Sequence, residues 1–130
     1  MSYNKEEYAQ YRLSSAKEKL KSAEILFQQG QYNDSVSRSY YAMFSAARAL
    51  LAMLSLDSSK HSGIISLFNQ HFIKTGKVDK ELGRLLKEAK DVREGGDYDD
   101  FFVASRELAE KQLEEARLFV NKIEKVLLNL

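Results

Sequence analysis

Only two clearly polar side chains, Ser45 and Arg48, interrupt the apolar stretch from Tyr40 to Leu54. A helix that is apolar around most of its circumference is normally buried by other elements. The stretch is shorter than the run of about 20 apolar residues that a membrane span requires. No proline occurs in the chain to interrupt a helix. The sequence therefore predicts long helices, joined by short connections, that pack around one central helix.

Apolar side chains that recur every three or four residues predict five helices. The predicted helices cover about Lys5–Gln29, Asn33 or Asp34 to Leu54, Lys60–Lys74, Asp79–Arg93 and Asp97–Asn129. The last of them has an apolar stripe that suits antiparallel packing in a bundle or against a second subunit. We therefore expect an all-α fold in which residues 1–130 form a single domain.

Side chains that accept hydrogen bonds from backbone N–H groups predict where the helices begin. Asn33 or Asp34 is expected to cap the second helix. Asp97 is expected to cap the last helix, after the Gly95-Gly96 pair has broken the chain. By this reading the fourth helix ends near Arg93.

Charge and composition exclude several kinds of protein. The chain has 20 basic and 19 acidic residues, whereas domains that bind nucleic acid by bulk electrostatics carry a large positive excess. RNA contact would therefore need a local patch or a paired subunit, and nothing points to DNA. There is no cysteine, and His61 and His71 are too far apart for a local metal pair, so no metal or cofactor is expected. No apolar signal segment is visible, and we expect a cytoplasmic protein without a membrane anchor.

Three stretches form a pattern that spans nearly the whole chain. They are Ser35–Ala47 in the second predicted helix, Lys60–Gly76, and the Arg-Glu-Gly-Gly-Asp-Tyr run from Arg93 to Tyr98. In order and spacing they resemble the HEPN domain family, specifically its small stand-alone branch. The resemblance implies an up-and-down helical bundle of about five helices with a four-helix-bundle core, commonly a homodimer. It also implies a minimal nucleotidyltransferase as partner, in a toxin–antitoxin type of pair.

Active members of that family are metal-independent endoribonucleases with a motif at a dimer cleft. The motif is an arginine followed, four to six residues later, by a histidine. Arg93 matches the arginine, but Tyr98, Asp99 and Asp100 stand where the histidine is expected. Histidine suits proton transfer because its ordinary pKa lies near neutrality, and arginine suits phosphate because its charged fork is rigid. The chain therefore lacks the residue that the motif uses as its base.

Four residues from the second and third of these stretches are candidates for chemistry. Arg93 is either a phosphate ligand or a last-turn cation that pairs with the helix dipole or with Asp97. Asp97 would act as a base only with a strongly perturbed pKa, and a capping role is simpler. Tyr98 is a poor base near neutral pH and is expected to be half-buried, with its hydroxyl bonded to a neighbouring helix. His61 is more often a capping or packing residue, and it replaces the missing base only if the fold brings it near Arg93.

Arg38 and Arg48 lie on the otherwise apolar second helix, where a buried arginine would need a partner. The candidate partners for an ion pair are Asp91, Glu94 and Asp97. Alternatively, Arg38 lies beside Arg93 in a polar groove. Tyr40 and Tyr41 are expected to be aromatic residues of the core or of a dimer interface.

Three functions remain open from the sequence. The first is a dimeric HEPN-like module that binds a minimal nucleotidyltransferase and also nucleotide or RNA. Its ligand candidates are Arg38, Tyr41, His61, Arg93 and Tyr98. The second is a metal-independent endoribonuclease that uses Arg93 with a non-standard base, sought among His61, Asp97 and Tyr98. The third is a purely structural protein-interaction bundle. The missing histidine favours the first function.

Overall fold

A computed structural model describes residues 4–98 and 102–130, with the backbone alone described at 96–98. Over these residues the chain is all-α, with five α-helices and one π-helical turn. The elements in chain order are α1 Lys5–Gln28, α2 Tyr32–Met53, α3 His61–Phe68, the π turn Asn69–Ile73, α4 Lys80–Tyr98 and α5 Arg106–Leu128. The predicted fold class, a helical bundle of about five helices, is confirmed.

Helix α2 is the centre of the bundle, as its apolar sequence predicts. It packs against α1, α3, α4 and α5. From Ser39 to Ala52, every residue of α2 is buried except Tyr41 and Arg48. Each large apolar side chain that leaves water contributes roughly 1.5–3 kcal/mol, so this helix supplies much of the driving force for folding. Within the described ranges, no helix has the length and apolarity needed to cross a membrane.

A tight turn joins α1 to α2. Gly30 has a positive φ of 75°, a conformation that glycine adopts without strain. The backbone N–H of Gly30 donates to Phe27 O at 3.0 Å, and that of Gln31 donates to Leu26 O at 2.9 Å. These two bonds satisfy the last carbonyls of α1, and the turn sends α2 back along α1.

The predicted caps of α2 are wrong, because this helix begins at Tyr32, ahead of Asn33 and Asp34. Its N-cap position makes no side-chain hydrogen bond. The Asn33 side chain instead accepts a hydrogen bond from the Ala104 N–H at 2.7 Å and donates one to Phe102 O at 3.3 Å. Asn33 therefore ties the segment before α5 to the start of α2.

The predicted break at Gly95-Gly96 and the predicted cap at Asp97 are also wrong. Helix α4 continues through both glycines to Tyr98, beyond its expected end at Arg93. The N-cap of α5 is Ser105, whose side chain accepts a hydrogen bond from a first-turn N–H at 3.0 Å. Asp99 and Asp100 lie outside the described residues.

Packing explains why two glycines do not end α4. A Cβ atom at Gly95 would lie 3.9 Å from the Phe102 ring, so the helix backbone lies close to that ring. Phe102 and Val92 in turn pack on a small buried cluster that contains Val36 and Ala104. Each glycine costs a helix about 1 kcal/mol relative to alanine, and burial of these apolar side chains offsets that cost.

The third predicted helix has an irregular second half. An α-helical segment is followed by a π-helical turn where one continuous helix to Lys74 was expected. A Cβ atom at Gly83 of α4 would lie 3.3 Å from side-chain atoms of both Asn69 and Ile73 in that turn. A glycine at this position lets the π turn approach α4 closely.

Candidate functional site

Five side chains from three helices form one cluster, which we call the aromatic site. Its members are Tyr40, Tyr41, Phe44, His61 and Arg93. Helix α2 supplies Tyr40, Tyr41 and Phe44, and residues three or four apart lie next to each other on a helix. His61 is the first residue of α3, and Arg93 lies on α4. The aromatic site thus stands where α3 and α4 meet the middle of the central helix.

The guanidinium of Arg93 lies over two aromatic rings. Its Cζ is 4.7 Å from the ring centroid of Tyr41 and 5.6 Å from that of Tyr40, within the range of a cation–π interaction. Arg93 and Tyr41 are half-buried, so the cation is held in place but is still reached by solvent. Because α4 continues past it, Arg93 is not in the last turn, and its predicted role as a helix-end cation is wrong.

His61 packs against the same two tyrosines. Its ring stacks on Phe44 with centroids 4.2 Å apart and meets the edge of Tyr41 at 5.7 Å. The Nδ1 atom of His61 and the hydroxyl oxygen of Tyr40 share a hydrogen bond of 3.1 Å. The predicted packing role of His61 is confirmed. The fold also brings His61 and Arg93 to the same pair of rings, which was the condition for His61 to replace the missing base.

The surroundings of His61 favour its neutral form. Burial lowers the pKa of His61 below its ordinary value, and the positive charges of Arg93, Arg48 and Lys90 lower it further, against the opposing charge of Glu94. A neutral imidazole can accept a proton near neutral pH. The hydrogen bond to Tyr40 engages Nδ1, so Nε2 is the nitrogen that remains for a ligand.

The Tyr40 hydroxyl stays protonated under ordinary conditions. Burial raises the pKa of Tyr40 to about 12, although the charge of Arg93 acts in the opposite direction. Tyr40 is fully buried, whereas the neighbouring Tyr41 is half-buried. The predicted core position is therefore confirmed for Tyr40. From this buried position its hydroxyl shares the hydrogen bond with Nδ1 of His61.

A second cationic cluster lies about one helical turn beyond Phe44 on α2. Arg12 of α1 and Arg48 of α2, with Asp57 between them, form what we call the arginine pair. Arg48 Nη2 lies 3.0 Å from Oδ1 and 2.9 Å from Oδ2 of Asp57, and Arg12 Nη2 lies 3.2 Å from Oδ2. The carboxylate thus holds both guanidinium groups at once.

The arginine pair adjoins the aromatic site through Phe44. Arg48 Cζ lies 6.0 Å from the Phe44 centroid, on the ring that also stacks on His61. Partial burial acts to raise the pKa of Asp57, but hydrogen bonds from Arg48 and from the Ser58 backbone, together with the charges of Arg48 and Arg12, outweigh it, so the pKa lies below its ordinary value. The predicted partners of Arg48 were wrong. Sequence reasoning overlooked Asp57, and its only signal was a lone carboxylate in a polar connection.

Arg38 is exposed, so the prediction of a buried ion pair is wrong for it. With Tyr41 it lines a surface depression of about 370 Å³. Tyr41 also carries Arg93 on its ring, so this tyrosine lies between the two predicted ligand arginines. The side chains of Asp97 and Tyr98 lie outside the described residues. Among the residues that the structure does describe, no group of His, Asp or Glu side chains could hold a metal ion.

Known proteins resemble this chain over the residues that form both clusters. The model of the HEPN domain family matches residues 9–126. A UPF0332 protein of Thermotoga maritima is 37% identical over 123 residues, which is 95% of this chain and 93% of the relative. A Methanocaldococcus jannaschii protein with "putative toxin" in its name is 36% identical over 117 residues, or 90% of this chain and 80% of the relative. A UPF0332 protein of Gloeobacter violaceus is 46% identical over 86 residues, or 66% of this chain and 68% of the relative. The family match includes every residue of the aromatic site and the arginine pair.

Proposed function

This chain belongs to the HEPN domain family, and we propose that it is a toxin-type module that binds RNA at the aromatic site. Arg93 is the proposed phosphate ligand. One observation carries the proposal: the Arg93 guanidinium is held 4.7 Å above the half-buried Tyr41 ring, beside His61.

The two tyrosine rings prepare Arg93 for a phosphate. Arginine binds phosphate through two parallel N–H donors, and a guanidinium that is already positioned loses less freedom on binding. Tyr41 also offers an aromatic surface on which an unpaired base can stack. A local site of this kind suits a chain whose basic and acidic residues nearly balance.

We propose that the protein is a homodimer and that its partner is a minimal nucleotidyltransferase. The support is the resemblance to the small stand-alone branch of the family, together with relatives named as toxins. Sedimentation of the protein alone tests the dimer, and a monomer at micromolar concentration contradicts it. Co-purification with a nucleotidyltransferase encoded beside it tests the partner.

RNA binding is tested by fluorescence anisotropy with a labelled single-stranded oligoribonucleotide in EDTA. We expect Arg93→Ala to weaken binding about tenfold or more, because a charge-assisted hydrogen bond contributes about 1.5–3 kcal/mol. The matched control is Arg117→Ala, which removes an arginine paired with Glu24 at 3.2 Å between α5 and α1. Equal affinities for the protein and its Arg93→Ala variant contradict the proposal. A protein that binds no RNA at all supports the purely structural bundle.

A second candidate function is a metal-independent endoribonuclease, and the shared position of His61 and Arg93 favours it. In this reaction Nε2 of His61 takes the proton of the 2′-hydroxyl. The 2′-oxygen then bonds to phosphorus, and the bond from phosphorus to the 5′-oxygen breaks. The leaving oxygen takes a proton from water, and a 2′,3′-cyclic phosphate remains. Arg93 stabilises the charge that develops on the phosphoryl oxygens.

Cleavage is tested with the same RNA in EDTA, followed by analysis of the product ends. The endoribonuclease predicts cyclic phosphate ends, and it predicts that cleavage is lost in both His61→Gln and Arg93→Ala but kept in Arg117→Ala. Cleavage that survives His61→Gln and disappears in Arg93→Ala redirects the search for the base to Asp97 and Tyr98. If no protein cleaves RNA while Arg93 is needed for binding, the binding function stands alone.

A further inference from the structure

Three surface depressions follow one face of α2, and together we call them the α2 trough. Their volumes are about 370, 320 and 510 Å³. The α2 residues that line them, in chain order, are Asp34, Ser37, Arg38, Tyr41, Ser45, Arg48 and Ala52. Steps of three or four residues place side chains on the same face of a helix. The trough therefore runs along one side of the central helix.

Cations and aromatic rings alternate along this trough. Its described lining contains five basic side chains and two acidic ones. The basic residues are Lys5, Arg12, Lys19, Arg38 and Arg48, and the acidic ones are Asp34 and Asp57. Tyr8 and Tyr11 of α1 also line it, with 45% and 73% of their surface exposed. A near-neutral chain thus concentrates positive charge and exposed rings on this face.

The arginine pair has the geometry of an anion site that is already filled. Asp57 receives hydrogen bonds from Arg12 and Arg48, so two positive charges share one negative charge. The exposed fraction of the side chain is only 16% for Arg12 and 32% for Arg48, whereas that of Asp57 is 48%. The cations are thus fixed against the helices, and the carboxylate is the more accessible member. A phosphate oxygen accepts hydrogen bonds from a guanidinium fork as a carboxylate oxygen does.

From these contacts we infer that the arginine pair is a second phosphate site for single-stranded RNA, which follows the α2 trough from the aromatic site. Asp57 occupies this second site until an RNA phosphate displaces its carboxylate. The inference rests on the proposed RNA binding at Arg93 and extends it.

The spacing along α2 suits one strand. Tyr41 and Arg48 are seven residues apart, which is about 10 Å along the helix axis. Exposed rings interleaved with cations are typical of sites for single strands, because unpaired bases can stack on the rings. A second copy of this chain is a weaker candidate for this face. A two-fold interface centred there would set like cations against each other.

The first test compares a uridine monophosphate with single-stranded oligouridylates of increasing length, in EDTA. We expect Arg48→Ala to weaken binding of the longer oligouridylate about tenfold. The slope of log affinity against log salt should become shallower by about 0.7, as for one lost phosphate contact on a single strand. Binding of the monophosphate should stay unchanged in Arg48→Ala and be lost in Arg93→Ala. The control Arg117→Ala should change neither.

The second test uses Asp57→Asn, which removes the competing negative charge and keeps the shape of the side chain. We expect this variant to bind the longer oligouridylate several-fold more tightly than the parent. A variant that simply folds poorly could not gain affinity. Weaker or unchanged oligouridylate binding by Asp57→Asn overturns the role given to its carboxylate.

The outcomes separate this inference from the function on which it rests. If the parent binds neither the monophosphate nor any oligouridylate, the proposed function fails, and this inference fails with it. If Arg93→Ala loses the monophosphate but Arg48→Ala keeps full oligouridylate affinity, only the second site is overturned. If Arg48→Ala dissociates a dimer while RNA binding is unchanged, the trough belongs to an interface between two copies, which also overturns the inference.

Discussion

The two cationic clusters along α2 hold their arginines in different ways. In the aromatic site Arg93 rests on the faces of Tyr40 and Tyr41. Burial and the positive charge of Arg93 lower the pKa of His61. In the arginine pair, both oxygens of Asp57 bind Arg48. The first cluster is built partly from core residues, so its geometry depends on the packing of the bundle. The second is partly exposed, and we infer that it exchanges its carboxylate for another anion while the bundle stays folded.

Replacing Tyr40 by alanine should show the largest difference in stability between the aromatic site and the arginine pair. Tyr40 is fully buried, and replacing a buried aromatic side chain by alanine lowers the free energy of unfolding by about 3–5 kcal/mol. Tyr40→Phe keeps the ring and removes the bond to His61, so its expected loss is about 0.5–1.5 kcal/mol. Asp57→Asn breaks only a partly exposed pair, and a loss of about 1 kcal/mol or less is expected. Urea unfolding measures the free energy of unfolding of all three variants. Equal losses for Tyr40→Ala and Asp57→Asn would contradict the view that only the aromatic site depends on core packing.

A glycine in α3 should prove important for the position of Asp57. A Cβ atom at Gly63 would lie 2.8 Å from Cβ of Ser58, the residue that follows Asp57. In Gly63→Ala the turn must shift, and we expect the free energy of unfolding to fall by about 1–3 kcal/mol. The exposed neighbour Ser62 is the control, because Ser62→Ala should change stability by no more than about 0.5 kcal/mol. Thermal unfolding of both variants measures the difference, and equal stability would show that the turn does not need the glycine.

The lowered pKa of His61 predicts a pH dependence that belongs to the aromatic site. In the unfolded chain His61 titrates near its ordinary pKa of 6.5, and in the folded protein it titrates lower. Between these values the unfolded state binds more protons, so His61 lowers the free energy of unfolding as the pH falls below about 6.5. Above about pH 6.5 His61 is neutral in both the folded and the unfolded state, so this loss of stability is absent. Melting temperatures between about pH 7 and pH 5 should therefore fall less in His61→Phe than in the parent, and an equal decline in both would count against the burial of His61 near these cations.

The smallest expected effect concerns the turn that carries Asp57. Ser55 has a positive φ of 58°, which costs a non-glycine residue about 1 kcal/mol. The backbone N–H groups of Ser55 and Leu56 donate to Ala52 O and Leu51 O, so the turn closes the end of α2 in this conformation. Ser55→Gly should raise the free energy of unfolding by roughly 0.5 kcal/mol, after the greater freedom of the unfolded glycine is counted. A loss of stability, measured by urea unfolding, would mean that the serine side chain has a role of its own.

The sequence predicted the central helix correctly because apolar spacing reflects burial directly. It misplaced the start of α5, because Asp97 and Ser105 are both good capping residues and the choice between them depends on packing around Phe102. The predicted cap at Asn33 was wrong for a similar reason: its side chain binds the distant segment before α5 and does not cap its own helix.

The aromatic site was only partly predictable. The resemblance identified Arg93, and Tyr41 was among the ligand candidates, whereas Tyr40 was expected only in the core or in a dimer interface. The approach of His61 to those rings depends on how α3 packs on α2. The arginine pair was not predictable, because Asp57 joins Arg12 across 45 positions of sequence through a turn that local patterns do not reveal.

We propose that RNA phosphate binds at Arg93, beside His61. NMR titration of the two histidines, with and without uridine monophosphate, tests it most directly. In the unliganded protein the pKa of His61 should lie below 6.5. Bound phosphate should raise this pKa because a nearby negative charge favours the imidazolium. The His71 resonance, on the π turn, should not respond to the ligand, and Arg93→Ala should remove the response of His61. A His61 pKa that does not change with saturating monophosphate, or that changes equally in Arg93→Ala, would contradict phosphate binding at Arg93.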